Sequence, residues 1–378
     1  MSYVVIIGPA HPLRGGLASY NERLARQFLS AGHRVTILTF SLQYPGFLFP
    51  GTTQYSSEPA PADLDIRVCI NSVNPFNWLK TGRMLRRMKP DLVVVRFWLP
   101  FMGPALGTIL RFVRGLKETR VVCIADNIIP HEHRPGDKLF TRYFTGSADA
   151  FLTMSEKVLS DLRQFDDRKP AQFVPHPLYD NFGEEIPRSE ALALLGLPAE
   201  GRIILFFGFI RKYKGLDLLL EAMADQRIGA ANIRLMVAGE FYEDDAPYRA
   251  LLQRPEIAER VIMRTNFIPD SEVRNYLCAA DLVVQPYRSA TQSGVTPLAY
   301  HFETPMLVTR VGALPDMVPD GEVGIVCEPD PTAIAEGILR FYETGADHFI
   351  PHIRSEKRKY TWQRIQETLQ SLADAVQK

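Results

Sequence analysis

Three stretches of the chain carry residue types and spacings suited to holding an anion. The first, Gly8-Pro9-Ala10-His11-Pro12-Leu13-Arg14-Gly15-Gly16, joins an apolar run to a helical pattern. Residues without side chains there let backbone N–H groups approach a phosphate or an acceptor group, and Gly15 and Gly16 are the candidates. A glycine-rich turn with no ligand is the alternative. The second stretch, Phe209-Ile210-Arg211-Lys212-Tyr213-Lys214-Gly215, sets cations at the mouth of a strand. A departing nucleoside diphosphate gathers negative charge, which Arg holds by bidentate hydrogen bonds and Lys as a point charge, so Arg211 and Lys214 suit that chemistry. Basic residues in a strand–helix loop are more often solvated surface, and the third stretch shifts that balance. From Tyr287 to Pro297 the chain follows another strand and opens a helix with small polar residues, making Gln292, Ser293, Gly294, Val295 and Thr296 a second anion cradle.

These loops need strands to hold them. Short apolar, β-branched runs at Val4 to Ile7, Val35 to Thr39, Leu92 to Val95 and Val121 to Ile124 alternate with helical patterns, which predicts parallel strands covered on both faces. Leu17, Tyr20, Leu24 and Phe28 recur at helical spacing until Gly32. The pattern breaks around Val174-Pro175-His176-Pro177-Leu178 and restarts at Ile203 to Gly208, with further candidate strands at Arg234 to Ala238, Leu282 to Val284 and Met306 to Thr309. The expected fold class is α/β, two doubly wound Rossmann-like domains facing a cleft: 1–180, 181–355, and a terminal helix over 356–378 that returns to the first domain. In such sheets ligands bind outside the carboxyl ends of the strands, which directs attention to the loops after Gly8, Ile124, Gly208, Gly239 and Val284.

Composition supports two ordinary globular domains. The 378 residues are 46% hydrophobic and 23% charged, and 43 basic residues balance 43 acidic ones. A formal charge of zero predicts no global attraction to nucleic acid. The four cysteines lie far apart, without the paired spacing of a zinc or redox motif, and read as core residues of a reducing compartment. No apolar run approaches a membrane span and no cleavable leader is visible, so a cytoplasmic, non-spanning protein is expected. A nicotinamide enzyme is disfavoured, because the second strand runs into Phe40-Ser41-Leu42 with no acid for a ribose. The string Asp63-Leu64-Asp65 follows Pro59-Ala60-Pro61 rather than a strand, which argues against a metal role.

The runs from Phe206-Phe207-Gly208 to Lys214-Gly215-Leu216, then Val237-Ala238-Gly239-Glu240, then Ala280 to Pro286, resemble the donor domain of glycosyltransferase family 4. Pro305 to Asp316 and Asp320 to Gly324 continue it in order, and with Gly15-Gly16 in front and Trp362 behind, the resemblance covers nearly the whole chain. It implies the GT-B architecture and transfer from a nucleotide-sugar donor, bound mainly to the second domain, to a glycan or lipid-linked acceptor held mainly by the first. It also implies retention of configuration with no enzyme nucleophile, no metal, and no cofactor beyond the nucleotide-sugar co-substrate. Gly239, Glu240 and Phe267 join the donor-binding set on this resemblance.

The sequence departs from the family at two places. Two glutamates usual there are replaced by Ala290 and Leu298, which leaves Thr291, Gln292 and Ser293 as substitutes, while Glu303 lies too far along. After the fourth strand, where many members have a histidine, this chain has Asp126, with His131 and His133 beyond it. By the resemblance Asp126 and His131 are the catalytic candidates, for orienting the acceptor; a loop-stabilising aspartate with surface histidines is the equal alternative.

Residues 76–120 hold ten Lys or Arg against Asp91 and Glu118, interleaved with aromatics. Such helices can rest on anionic lipid headgroups at the inner face of a membrane; solvated helix faces over a core are the plainer reading. Rival functions are a sugar-nucleotide epimerase or phosphorylase of the same fold, or a non-catalytic nucleotide- or glycan-binding subunit.

Overall fold

A computed structural model describes residues 1–46, 53–130, 134–290 and 293–376. They form two compact units: Met1–Pro177 together with Thr361–Lys378, and Leu178–Tyr360.

In the first unit, seven strands are seen among the described residues: β1 (Tyr3–Ile7), β2 (Arg34–Leu42), β3 (Ile66–Asn71), β4 (Leu92–Phe97), β5 (Arg120–Ala125), β6 (Ala150–Thr153) and β7 (Ala171–Phe173). They lie in the order β3-β2-β1-β4-β5-β6-β7, and every pairing is parallel. Parallel neighbours require crossovers, and the helices that supply them cover both faces, so β1, β4 and β5 are buried on both sides. Helix Gly16–Ser30 buries Tyr20, Leu24 and Phe28 as its spacing predicts. The last helix, Trp362–Asp374, starts where the Thr361 hydroxyl accepts the Arg364 N–H at 3.3 Å, and it packs on helix Gly16–Ser30 and on β5 and β6 through buried Ile365 and Leu369.

The second unit contains β8 (Arg202–Phe207), β9 (Ile233–Ala238), β10 (Val261–Arg264), β11 (Leu282–Gln285), β12 (Met306–Thr309) and β13 (Gly324–Cys327). Their order is β10-β9-β8-β11-β12-β13, again parallel throughout. Both sheets reverse strand order beside their first strand, at β1/β4 and at β8/β11, which is where loops diverge and a ligand finds room.

Strands β3, β6, β7, β10 and β13 were not among those expected from sequence. β7 has three residues and β6, β10 and β13 four each, too short to show a period, and β3 is an edge strand of mixed burial.

Candidate active site

The loops that follow β8, β9 and β11 in the second unit converge on one backbone point. Gly208 turns out of β8 at φ +96°, and Gly239 leaves β9 at φ +150° directly behind it. A Cβ on Gly239 would lie 2.0 Å from the Gly208 carbonyl oxygen, so only glycine permits this approach. Above Gly208 sit the Lys214 ammonium, 3.0 Å from where its Cβ would be, and a methyl of Val295 at 3.8 Å.

The cation loop is held from several sides. Its one 3-10 turn, Lys212–Lys214, is fixed by the Lys212 N–H donating to Glu243 at 2.8 Å and by the Arg288 N–H donating to the Tyr213 carbonyl at 2.7 Å. Arg288 also pairs with Asp217 at 2.5 Å. Lys214 is buried, its ammonium 5.7 Å from the Tyr287 ring centre, and Arg211 lies half-buried with its guanidinium 5.3 Å from the ring centre of Tyr242. Burial, and then the neighbouring Arg211 charge, pull the Lys214 pKa down to about 8. Among the described residues no carboxylate pairs with either cation. Two like charges held side by side without an acid suit an anion.

Beyond β11, the segment of small polar residues folds around Gln285. Ser293 donates to Gln285 Oε1 at 2.6 Å and Thr296 at 3.1 Å, while the Val295 N–H donates to the Ser293 hydroxyl at 3.2 Å. Ser293, Val295 and Thr296 are thereby buried as the frame of the turn, and Gly294 is its exposed member. Leu298 is buried in the helix that follows, and Glu303 is held by Arg354 and Lys357, which keep its carboxyl below the usual range against the effect of burial. Neither position brings an acid to the turn.

Sequence reasoning named Phe267 but overlooked the aromatic layer to which it belongs, next to the cations. Phe209 stacks on Tyr242 with ring centres 4.1 Å apart, and Phe267 lies 6.4 Å from Phe209; all three are half-buried. The signal was present, since Phe209 directly follows the strand-ending glycine. Glu240 is buried beside this layer, and its carbonyl accepts the Ile210 N–H at 2.8 Å.

In the first unit, Gly15 caps helix Gly16–Ser30 at φ +99°. Asp126 follows β5 and is buried. Arg96, inside β4, donates Nε to Asp126 Oδ2 at 2.6 Å and Nη2 to Oδ1 at 2.5 Å. Burial pushes the Asp126 carboxyl up, and the arginine opposes it. The same guanidinium lies 3.8 Å from the Tyr20 ring centre, and Tyr20 in turn touches His176 and Trp362. Both oxygens of Asp126 thus hold a buried arginine. His131 and Gln292 lie outside the described residues, as do Thr291 and His133. Asp63 pairs with Arg26 at 2.7 Å, and Asp65 with Arg67 at 3.1 Å.

So the structure gathers Arg211, Lys214, Gly239, Glu240, Phe267, Ser293, Gly294, Val295 and Thr296 within the second unit, and Gly15, Gly16 and Asp126 within the first.

Residues 201–344 match the family model described as glycosyl transferases group 1, and residues 14–178 match that of glycosyltransferase family 4. A Bacillus subtilis protein named as a teichuronic acid biosynthesis glycosyltransferase, TuaC, is 26% identical over 70% of this chain and 64% of its own length. A D-inositol 3-phosphate glycosyltransferase of Streptomyces coelicolor is 29% identical over 62% of this chain and 51% of its own. The chain therefore spans less than two thirds of the length of these two relatives. Among solved structures, sucrose-phosphate synthase of Thermosynechococcus elongatus superposes with a TM-score of 0.74 at 16% identity, covering 98% of both chains. HepE of Anabaena, in complex with UDP and glucose, gives 0.73 at 14% identity over 98% of this chain and 100% of that one. The fold they share with it is GT-B.

Proposed function

We propose, for a chain that belongs to the glycosyltransferases of group 1 and family 4, that it moves a sugar from a nucleoside-diphosphate sugar to a glycan or lipid-linked acceptor, with retention of configuration and without a metal ion. The observation that carries this reading is the Lys214 ammonium over the bare backbone of Gly208, beside the Arg211 charge, with no carboxylate paired to either cation among the described residues. In the reaction the bond between the sugar and the diphosphate breaks, and the diphosphate keeps the electron pair. Arg211 offers two parallel donors and Lys214 a point charge to that growing charge, which is where stabilisation accelerates the step. The departing diphosphate accepts the proton of the attacking hydroxyl, so no enzyme nucleophile enters the scheme.

The aromatic layer of Phe209, Tyr242 and Phe267 supports a nucleoside beside the phosphates, because a base gains about 1–3 kcal/mol from one stacking face whatever its identity. Phe267, Gly239, Glu240 and the turn from Gln292 to Thr296 complete the donor side in this reading. Gly15 and Gly16 are assigned to donor binding as well, and Asp126 and His131 serve the acceptor side.

The test is a thermal-shift screen of the full chain against UDP, GDP, ADP and CMP and their common sugar conjugates, followed by a hydrolysis assay on the best ligand. A selective shift by one nucleoside diphosphate, slow release of that nucleotide from its sugar, and loss of both in Arg211→Ala, Lys214→Ala are expected. Full activity in that double variant refutes the site. A shift without turnover under any acceptor points to a binding subunit, and turnover that requires inorganic phosphate points to a phosphorylase.

A further inference from the structure

Strand β11 reads Leu282-Val283-Val284-Gln285, and all four residues are buried. Gln285, the polar one, is 1% exposed. An amide at that depth destabilises the fold unless both of its ends are bonded. Here one end is. Oε1 accepts the Ser293 hydroxyl at 2.6 Å and the Thr296 hydroxyl at 3.1 Å, while Nε2, equally closed to water, has no hydrogen-bond partner among the described residues. A leucine or methionine would fill the space without an unpaired donor, so stability does not account for the residue.

What the oxygen holds is the turn after β11. Ser293 passes the constraint on, since its hydroxyl also accepts the Val295 N–H at 3.2 Å and lies 3.3 Å from that of Tyr287. The loop leading into the turn is fixed separately. The Thr309 hydroxyl donates to the Tyr287 carbonyl at 2.6 Å, and Gly312, at φ +53°, passes so close that a Cβ on it would lie 1.6 Å from the Ala290 carbonyl oxygen. Strand β11 lies between β8 and β12, and Val283 stands opposite Leu205, which sets Gln285 level with the end of β8, where Gly208 turns out. There the turn brings a methyl of Val295 within 3.8 Å of the position a Gly208 Cβ would take, next to the Lys214 ammonium.

We infer that Gln285 is a positioning residue for the transfer reaction. From inside the sheet it anchors Ser293 and Thr296 by their hydroxyls, and so sets how far Val295 and its turn stand from Gly208 and Lys214, the space in which the leaving diphosphate is held. Gln285 acts through the turn and touches no reacting atom. The inference rests on the function proposed above, because only a diphosphate beside Lys214 gives the turn a group to align.

Calorimetric titration of the full chain with inorganic pyrophosphate, and with the nucleoside diphosphate chosen by the thermal-shift screen and its free nucleoside, tests it. Gln285→Met keeps the length and packing of the side chain and removes the amide oxygen. It should weaken binding of pyrophosphate and of the nucleoside diphosphate at least about tenfold, the equivalent of one lost hydrogen bond to a charged group. Affinity for the free nucleoside should stay as it is, since that rests on the aromatic layer. Thr296→Val, which keeps the shape of the side chain and drops its hydroxyl, should act in the same direction. Because Gln285 works through Thr296, the pair Gln285→Met, Thr296→Val should bind pyrophosphate no worse than Gln285→Met alone. The thermal midpoint is the fold control, and where Gln285→Met does not fold, Thr296→Val carries the test on the same three ligands. Undiminished diphosphate binding in these variants, a loss shared equally by nucleoside and diphosphate, or losses that add in the pair overturn the inference and leave the proposed function standing. An unaltered chain that binds neither pyrophosphate nor any nucleotide overturns both.

Discussion

Arg96 and Asp126 meet side by side through two hydrogen bonds of 2.6 and 2.5 Å, joining the interior of β4 to the end of β5 with both side chains buried. Removing one partner leaves a buried charge without its counter-charge. Asp126→Ala should therefore cost about 3–5 kcal/mol of stability, whereas Arg96→Met combined with Asp126→Leu should recover most of it. Urea unfolding of the two single variants and the double closes the cycle. An Asp126→Ala protein of unchanged midpoint but lost transfer would instead assign the carboxylate to the acceptor.

Lys214 presents the opposite case, a buried cation without an acid. Its pKa, lowered to about 8, means that the folded chain holds the proton less well than the unfolded chain does. Below pH 8 the residue is charged in both states and its contribution is unfavourable; that penalty fades as the pH rises from about 8 towards the ordinary lysine value. Lys214→Met should accordingly match or exceed the stability of the unaltered protein at neutral pH while losing nucleotide binding, a trade expected at a functional site. An anion over Gly208 pushes the pKa back up, so nucleotide binding just above pH 8 should take up a proton. Calorimetry in two buffers of different ionisation heat measures that proton; no uptake would contradict the placement of the diphosphate on Lys214.

Much of this was legible beforehand, and the residues explain why. Apolar runs such as Val4 to Ile7 and Leu282 to Val284 are strands because they are buried on both faces, and the glycines that end β8 and β9 mark a close backbone approach that no other residue allows. Arg211 and Lys214 stand out in the sequence because cations at a strand mouth are conspicuous. Arg96 was overlooked as a partner, although an arginine directly after Leu92-Val93-Val94-Val95 in the same buried strand needs a nearby acid, and Asp126 stands at the end of the next strand. Tyr242 was invisible for a different reason: its stacking on Phe209 spans two loops, and spacing along the chain says nothing of it. Within the basic segment, residue type alone does not reveal that Arg96 and Phe97 face the core while Arg83 and Phe76 face water.

His176 supplies the remaining test, through acid. Its ring is buried against Tyr20, and burial, with a smaller push from the Arg96 charge, lowers its pKa to about 3, even though its bond to the Pro177 carbonyl works the other way. That carbonyl only accepts, so Nδ1 carries the hydrogen and donates at 2.7 Å. In the unfolded chain the ring takes a proton near pH 6.5, while the folded chain stays neutral far below that. The unfolded state therefore binds more protons across this window, so stability is fully present above about pH 6.5 and drains as the pH falls towards 3, by at most about 1.4 kcal/mol per unit. Urea unfolding should show a loss of about 2 kcal/mol from this ring between about pH 7 and pH 5. In His176→Asn, whose amide can still donate to Pro177, that portion of the slope should vanish; an unchanged slope would mean that the ring titrates in the folded protein much as it does in water.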